Sequence, residues 1–153
     1  MVELQHRPVP TRALAQFLAA NPAATAADFD GLAFRSAKDA VKADLNADQG
    51  GLCVYCEKAL AAVEGQVEHI KPKGGPNAHP HLCFSYTNYA HSCINSKTCG
   101  QKKNNGLLPI EPGPGCNAKW TLSIDGSIVP IDGLTRAQRH AVCKTRDMLG
   151  LNK

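Results

Sequence analysis

The sequence predicts a small α+β protein. An N-terminal helical arm comes first, short strands held together by a bound metal follow, and a hairpin and a helix form the C-terminal part. Apolar residues recur with helical spacing in the first 48 residues, cysteines flank a short central strand, and an Asp-Gly turn separates two apolar runs near the end. The chain has 153 residues, which is the length of one domain. Only 5% of its residues are aromatic, so we expect a hydrophobic core with few aromatic side chains. We expect residues 1–48 to form the arm and residues 49–153 the main module.

Two amphipathic helices are predicted in the arm. Thr11 is a suitable N-cap for the first, Asn21-Pro22 would end it, and residues 36–39 have the pattern of a capping box for the second. The expected apolar positions are Leu14, Phe17 and Leu18 in the first helix and Ala37, Val41 and Leu45 in the second. Residues 1–68 carry a net charge of −3. The arm itself contains no cluster of residues that suggests catalysis or metal binding. The arm is therefore expected to pack on the module or to dock a partner.

Glu68 and His69 are the central candidates for chemistry. They lie in a predicted strand, residues 67–70, framed by Gly65 and Pro72. Successive strand residues point to opposite faces, so at least one of the two must meet a polar environment. A loop rich in Gly and Pro follows at 73–82, a second short strand or turn is expected at 84–89, and a short helix at 99–106.

Seven cysteines, in a chain without an export signal, favour metal binding or free thiols over disulfides. Cys53 and Cys56, at positions i and i+3, can share one zinc ion. The other two ligands are ambiguous among Cys83, Cys93 and Cys99. We choose Cys93 and Cys99 because they bracket a turn and precede a basic segment, with buried free thiols as the alternative. Ordinary core or surface positions are expected for the remaining two, Cys116 and Cys143.

The C-terminal part has the clearest local signals. Apolar runs at 120–124 and 127–131 flank Asp125-Gly126, which favours a two-residue hairpin turn. Thr135 and Gln138 form a capping box for a helix that should end at Gly150.

Charge and hydropathy narrow the class of function. Residues 69–119 carry six Lys and Arg against one acidic residue, a net charge of +5, which suits a polyanion such as nucleic acid; the alternative is a solvated basic face. No apolar run approaches the roughly 20 residues of a membrane span, and the N-terminus has no signal pattern. We expect a cytoplasmic protein.

These motifs together resemble the HNH endonuclease superfamily. The matching residues are Cys53-x-x-Cys56, Glu68-His69-Ile70-x-Pro72, Asn88, Cys93 and Cys99-Gly100-x-Lys102-Lys103. The resemblance implies a ββα-metal module in which a hairpin and a helix hold one divalent ion. From about Pro8 to Asn152 the chain is similar to the PtuB subunits of Septu-type and retron-associated anti-phage systems. That similarity implies an ATPase partner of the PtuA type and DNA as the substrate.

The resemblance also assigns roles. It implies that His69 is the general base, that Glu68 binds a catalytic Mg²⁺ or Mn²⁺, and that Asn88 orients the His or the loop or supplies a second ligand. An unperturbed imidazole would lose activity below roughly pH 6. Phosphate contacts are expected from Lys71, Lys73, Lys102 and Lys103, with a solvated face as the alternative.

One departure from the family pattern leaves a second function open. Many HNH enzymes place a metal ligand where this chain has Gly100. The possible substitutes are Asn88, His91, Gln101 and Asn104, which the sequence does not rank. The alternative function is a zinc-stapled nucleic-acid-binding module or inactive subunit that positions a partner.

Overall fold

The computed structural model describes residues 1–152 and confirms the α+β class. Lys153, the last residue of the predicted module, lies outside the described residues. The regular elements in chain order are α1 (Arg12–Ala20), α2 (Arg35–Asp48), β1 (Gln66–His69), β2 (Tyr89–Ser92), α3 (Cys99–Lys103), β3 (Trp120–Leu122), β4 (Ile128–Pro130) and α4 (Arg136–Leu149). None of the helices within 1–152 is both long and apolar enough to cross a membrane.

The strands β1 and β2 pair antiparallel, and α3 follows them in the chain. Glu68 lies opposite Ala90 and His69 opposite Tyr89. The second strand begins later than predicted, because a 3₁₀ turn occupies Tyr86–Asn88 and ends where the buried strand begins. The prediction of a strand or turn at 84–89 is therefore correct only for the turn.

The arm forms the two predicted helices with two corrections. The Thr11 side chain caps α1 by accepting from the Ala13 N–H, as predicted, but Leu18 is 36% exposed and is not part of the buried face. The predicted capping box at Ser36 is wrong. Helix α2 begins at Arg35 directly after a 3₁₀ turn, Leu32–Phe34, so Ser36 already lies inside the helix.

The arm and the strands share one hydrophobic core. The buried arm residues of this core are Leu14, Phe17, Phe29, Phe34, Ala37, Val41 and Leu45. They pack with Val67 of β1, with Tyr89 of β2, and with Cys83 and Tyr86 from the connecting loop. The N-terminal residues Met1 and Leu4 belong to a second core, which contains Cys53 and Tyr55. The apolar face of the arm is thus covered within the chain, which favours packing over partner docking through those residues.

The C-terminal region follows its local signals with one difference. Ser123 donates its N–H to the Ser127 carbonyl, so the hairpin loop has three residues and Gly126 takes a φ of 80°. The Thr135–Gln138 capping box is present, and Gly150 ends α4 in the left-handed conformation. Helix α4 packs against both α3 and β4.

Candidate active site

The four cysteines chosen from the sequence come together. The Sγ atoms of Cys53, Cys56, Cys93 and Cys99 all lie within 4.8 Å of one another. Cys53 and Cys99 are 3.8 Å apart, and Cys56 and Cys93 are 3.9 Å apart. A tetrahedral zinc with Zn–S bonds of about 2.3 Å would have S–S edges of about 3.8 Å. The cluster fits a structural metal such as zinc.

The protonation of the cluster also fits a cation. Hydrogen bonds with the Cys56 and Cys99 thiols lower the pKa of Cys53. The hydrogen bond between Cys99 and Cys53 raises the pKa of Cys99. Burial raises the pKa of Cys93 to about 12. Without a cation, the sulfurs cannot all ionise so close together, and a metal would stabilise all four thiolates.

A cleft of about 410 Å³ lies beside this cluster, between the arm, β1 and α3. From β1 and the following loop it is lined by Gln66, Val67, Glu68, His69, Pro72 and Lys73; from α3 and its C-terminal loop by Gly100, Gln101, Asn104 and Asn105; and from the arm by Phe29, Asp30 and Lys38. Glu68 and His69 therefore both border one cleft, although they are neighbours in a strand.

His69 is held as a neutral imidazole with a defined tautomer. Its Nε2 lies 3.0 Å from the backbone carbonyl of Cys83, which can only accept, so Nε2 carries the proton and Nδ1 is the free base. The ring packs against Phe29, with centroids 4.4 Å apart, and edge-on against Tyr89. Burial lowers the pKa of His69 to about 4, against the opposing effect of the Cys83 hydrogen bond. The imidazole is therefore unprotonated throughout the neutral range.

Glu68 is buried against α3. Its Oε1 lies 2.8 Å from the Lys103 ammonium, and Lys103 also donates to the backbone carbonyl of His69 at 3.0 Å. Burial raises the pKa of Glu68, and the charge of Lys103 opposes that rise. A Cβ atom at Gly100 would lie 2.5 Å from Glu68 Oε2. The space beside Gly100 is thus filled by the Glu68 carboxylate.

Asn88 braces the backbone around the cleft. Its Oδ1 accepts from the Lys71 N–H at 2.9 Å, and its Nδ2 donates to the carbonyls of Lys71 at 3.0 Å and Leu82 at 3.3 Å. The amide therefore ties the segment after β1 to the loop that carries Cys83, the partner of His69. Asn88 does not line the cleft, and its oxygen is already engaged.

Comparison with known proteins agrees with this geometry. No family model matches the chain. A relative from Vibrio cholerae serotype O1 biovar El Tor, named "Retron Vc95 putative HNH endonuclease", is 46% identical over 158 residues, covering 100% of this chain and 77% of the relative. This chain belongs to the HNH endonuclease family. The family-level resemblance seen in the motifs is confirmed.

The four lysines expected to contact phosphate in this HNH protein have different surroundings. Lys73 borders the cleft, where its ammonium pairs with Asp30 at 2.7 Å. Lys102 is exposed, and neither it nor Lys71 lines the cleft. Lys103 is the clear departure from the expectation, because its side chain is fully buried and its ammonium is bound to Glu68. In this arrangement Lys103 holds the site together and is not available to bind phosphate.

The structure also reduces the number of candidate second ligands for a catalytic metal. His91 is fully buried, with Nε2 bonded to the Glu64 carbonyl and Nδ1 to Asn46, and it does not line the cleft. Gln101 and Asn104 do line the cleft. One carboxylate and amide oxygens beside open solvent fit a partly hydrated Mg²⁺ or Mn²⁺, which is usually bound through one or two carboxylates and several waters.

Several cleft residues were not found from the sequence. Gln66 precedes Glu68 by two residues in β1 and borders the same cleft. Its strand position is a signal that could have identified it. Phe29, Asp30 and Lys38 come from the arm, which looked devoid of chemistry because no motif links it to β1.

Proposed function

We propose that this chain is a metal-dependent HNH endonuclease that hydrolyses phosphodiester bonds of DNA. The observation that carries the proposal is His69, a buried neutral imidazole whose Nε2 is held by the Cys83 carbonyl, next to the Glu68 carboxylate in one open cleft. Phosphodiester hydrolysis needs an unprotonated group that accepts a proton from water near pH 7, and His69 is unprotonated at that pH. Its lowered pKa makes it a weaker base than a free imidazole, so its fixed position in the cleft is what favours the transfer.

In this mechanism His69 is the catalytic base. Its Nδ1 accepts a proton from the attacking water, and the resulting imidazolium keeps its Nε2–H bond to Cys83. Packing against Phe29 and Tyr89 fixes the plane of the ring, so little reorganisation is needed when the proton moves.

Glu68 would hold the catalytic divalent ion, with Gln101 or Asn104 as a second protein ligand. When bound, Mg²⁺ or Mn²⁺ would stabilise the negative charge that develops on the phosphate. Lys103 keeps Glu68 oriented through the buried ion pair. We propose a positioning role for Asn88, which fixes the loop around the base, and phosphate contacts for Lys73, Lys102 and Lys71.

Zinc bound by Cys53, Cys56, Cys93 and Cys99 would fix the start of α3 relative to β2. The arm, residues 1–48, would complete the cleft of the nuclease module, residues 49–153. This division follows the chain order of the motifs, and the shared core between the two parts supports their action as one unit.

The biological setting is proposed from the relative. Its name places it in a retron. We propose that this chain is the nuclease effector of an anti-phage system, of the PtuB type, and that it works with an ATPase of the PtuA type.

A plasmid-nicking assay with Mg²⁺ or Mn²⁺ tests the proposed chemistry. Wild type should nick DNA, and His69→Ala should lose about 10²–10⁴-fold in rate because a general base typically contributes that much. His140→Ala, at an exposed histidine on α4, is the matched control and should nick normally. A wild-type protein that binds DNA but does not nick it with either metal would instead be the adaptor subunit that positions a partner.

Glu68→Ala separates metal binding from proton transfer. Loss of the carboxylate should weaken divalent-ion binding, so excess Mn²⁺ should partly restore nicking. The same excess should not rescue His69→Ala. Equal rescue of both variants would contradict the separate roles.

A further inference from the structure

Two lysines share one carboxylate at the edge of the cleft. The Lys38 ammonium lies 2.7 Å from Oδ1 of Asp30, and the Lys73 ammonium lies 2.7 Å from Oδ2. Asp30 is 66% exposed, whereas each lysine side chain is only 28% exposed. The lysines are thus held in place, while the carboxylate between them faces solvent.

A single aromatic ring connects this cluster to the catalytic base. The ammonium groups of Lys38 and Lys73 lie 4.1 and 4.6 Å from the centroid of the Phe29 ring. The same ring packs on His69. Cation–π attraction therefore holds both ammonium groups beside the imidazole, from two parts of the chain that lie 35 positions apart.

The charges of this cluster suit a ligand that replaces the carboxylate. Burial opposes ionisation of Asp30, but hydrogen bonds from Lys38 and Lys73 outweigh it and lower its pKa to about 2, so the carboxylate is ionised at neutral pH. Two cations and one anion leave one positive charge unbalanced. A phosphodiester carries one negative charge and two free oxygens, as the carboxylate does, and could accept from both lysines in its place.

We infer that Lys38 and Lys73 form a subsite for a backbone phosphate of the nucleic-acid substrate, and that Asp30 occupies this subsite until the substrate displaces it. The inference rests on the proposed nuclease function. It assigns part of the substrate cleft to the arm, which supplies Lys38, Asp30 and Phe29. Asp30 is then a competitor that weakens binding, so its removal and the removal of Lys38 have opposite effects.

That opposition distinguishes the subsite from a structural salt bridge. Both Asp30→Asn and Lys38→Ala break the same ion pair, so a purely structural role predicts changes of the same sign. A phosphate subsite predicts that Lys38→Ala binds DNA about tenfold more weakly and Asp30→Asn about three- to tenfold more tightly at moderate salt.

The experiment measures binding of a labelled double-stranded oligonucleotide by fluorescence anisotropy over a range of salt concentrations. All variants are made in full-length His69→Ala protein, so that the probe is not cut. Lys38→Ala should also reduce the slope of log affinity against log salt by about 1, as expected for one lost phosphate contact. Lys42→Ala is the matched control, because Lys42 lies one turn further along α2 and donates to the Val63 carbonyl, outside the cleft.

Weaker binding by both Asp30→Asn and Lys38→Ala would overturn the inference, as would an equal loss in Lys38→Ala and Lys42→Ala. Wild-type nicking together with unchanged binding by Lys38→Ala would reject this subsite and leave the proposed function intact. Absence of both nicking and DNA binding in the wild-type protein would reject both.

Discussion

Lys103 and Glu68 form a buried ion pair, with Nζ 2.8 Å from Oε1 and side-chain exposures of 0% and 11%. Charges withdrawn from water are tolerated only when they are paired and hydrogen-bonded, so each residue holds the other in place. Lys103 also donates to the His69 carbonyl. One ammonium group therefore fastens α3 to both residues of the Glu68-His69 pair.

Replacement of Lys103 by Met should damage both stability and activity. The change keeps much of the side-chain volume but leaves the Glu68 carboxylate buried without its partner. Breaking such a pair from one side typically costs about 3–5 kcal/mol. We expect a comparable fall in the free energy of unfolding measured with urea, and a loss of nicking at temperatures where the variant is still folded.

Lys102→Met is the control for this prediction. Lys102 is the exposed neighbour in the same helix, and exposed charges contribute little to stability, so the free energy of unfolding should change by less than about 0.5 kcal/mol. Equal stabilities of the two variants would show that the Lys103–Glu68 pair does not hold the site.

Gly100→Ala tests the close approach of Glu68 to α3. Alanine favours a helix more than glycine does, but its Cβ would lie 2.5 Å from Glu68 Oε2 and 3.1 Å from Gln66 Nε2. We expect displacement of the carboxylate and at least about a tenfold loss of nicking, with unchanged zinc content. Gly74→Ala, where nothing lies within 4 Å of the added atom, should retain full activity. Normal nicking by Gly100→Ala would mean that the carboxylate position is not critical.

The sequence predicted the parts of the site that depend on local spacing. Cys53 and Cys56 are close in the chain, whereas Cys93 and Cys99 were preferred to Cys83 because they bracket a turn and precede a basic segment, and these four sulfurs do come together. Glu68 and His69 were identified because an acidic residue and a histidine that are adjacent in a strand point to opposite faces, so they cannot both lie in a hydrophobic core. The caps at Thr11 and Thr135 likewise depend on a few neighbouring residues.

The parts that the sequence did not predict depend on packing between distant segments. Lys102 and Lys103 are indistinguishable as adjacent lysines, but successive helix residues differ by about 100° in direction, and only Lys103 points to Glu68. Lys38 and Asp30 reach the cleft because the arm shares a core with β1 and β2. No local pattern in the arm encodes that contact.

Cys56→Ser tests whether zinc is part of the folded structure. Removing one of four ligands should release the metal, and because a zinc ion bound there would hold segments from Cys53 to Cys99 together, its binding energy would contribute to folding. Purified wild type should contain about one zinc per chain by elemental analysis, and the variant should lose zinc and melt at a lower temperature or become insoluble.

Cys143→Ser is the matched control, since Cys143 lies on α4, outside the cluster. It should keep its zinc and its melting temperature. A zinc-free wild-type protein with the same melting curve as Cys56→Ser would contradict the structural role of the metal.

The pH dependence of stability should follow from His69. Its pKa is about 4 in the folded protein and near 6.5 in an unfolded chain. Between these values the unfolded chain binds a proton that the folded protein excludes, so the contribution of His69 to stability is present above pH 6.5 and falls as the pH decreases to 4. From pH 7 to pH 5 the loss should be about 2 kcal/mol in the free energy of unfolding. The same measurement on His69→Gln isolates this effect. The raised pKa of Glu68 acts in the opposite direction, and because it remains in the variant, the difference between the two proteins gives the contribution of His69.

The pH dependence of nicking should differ from that of an ordinary histidine. An imidazole with an unperturbed pKa would lose its activity as a base near pH 6.5, whereas buried His69 should stay unprotonated until the pH approaches 4. Single-turnover nicking rates at a saturating divalent-ion concentration, which keeps Glu68 ionised, and normalised to the folded fraction at each pH, should therefore remain nearly constant from pH 7.5 to about 5.5. His140→Ala should give the same profile, because its substitution leaves the cleft unchanged. A midpoint near pH 6.5 in both proteins would show that the base titrates in contact with water, and that the burial of His69 behind Phe29 and Tyr89 does not persist in the active enzyme.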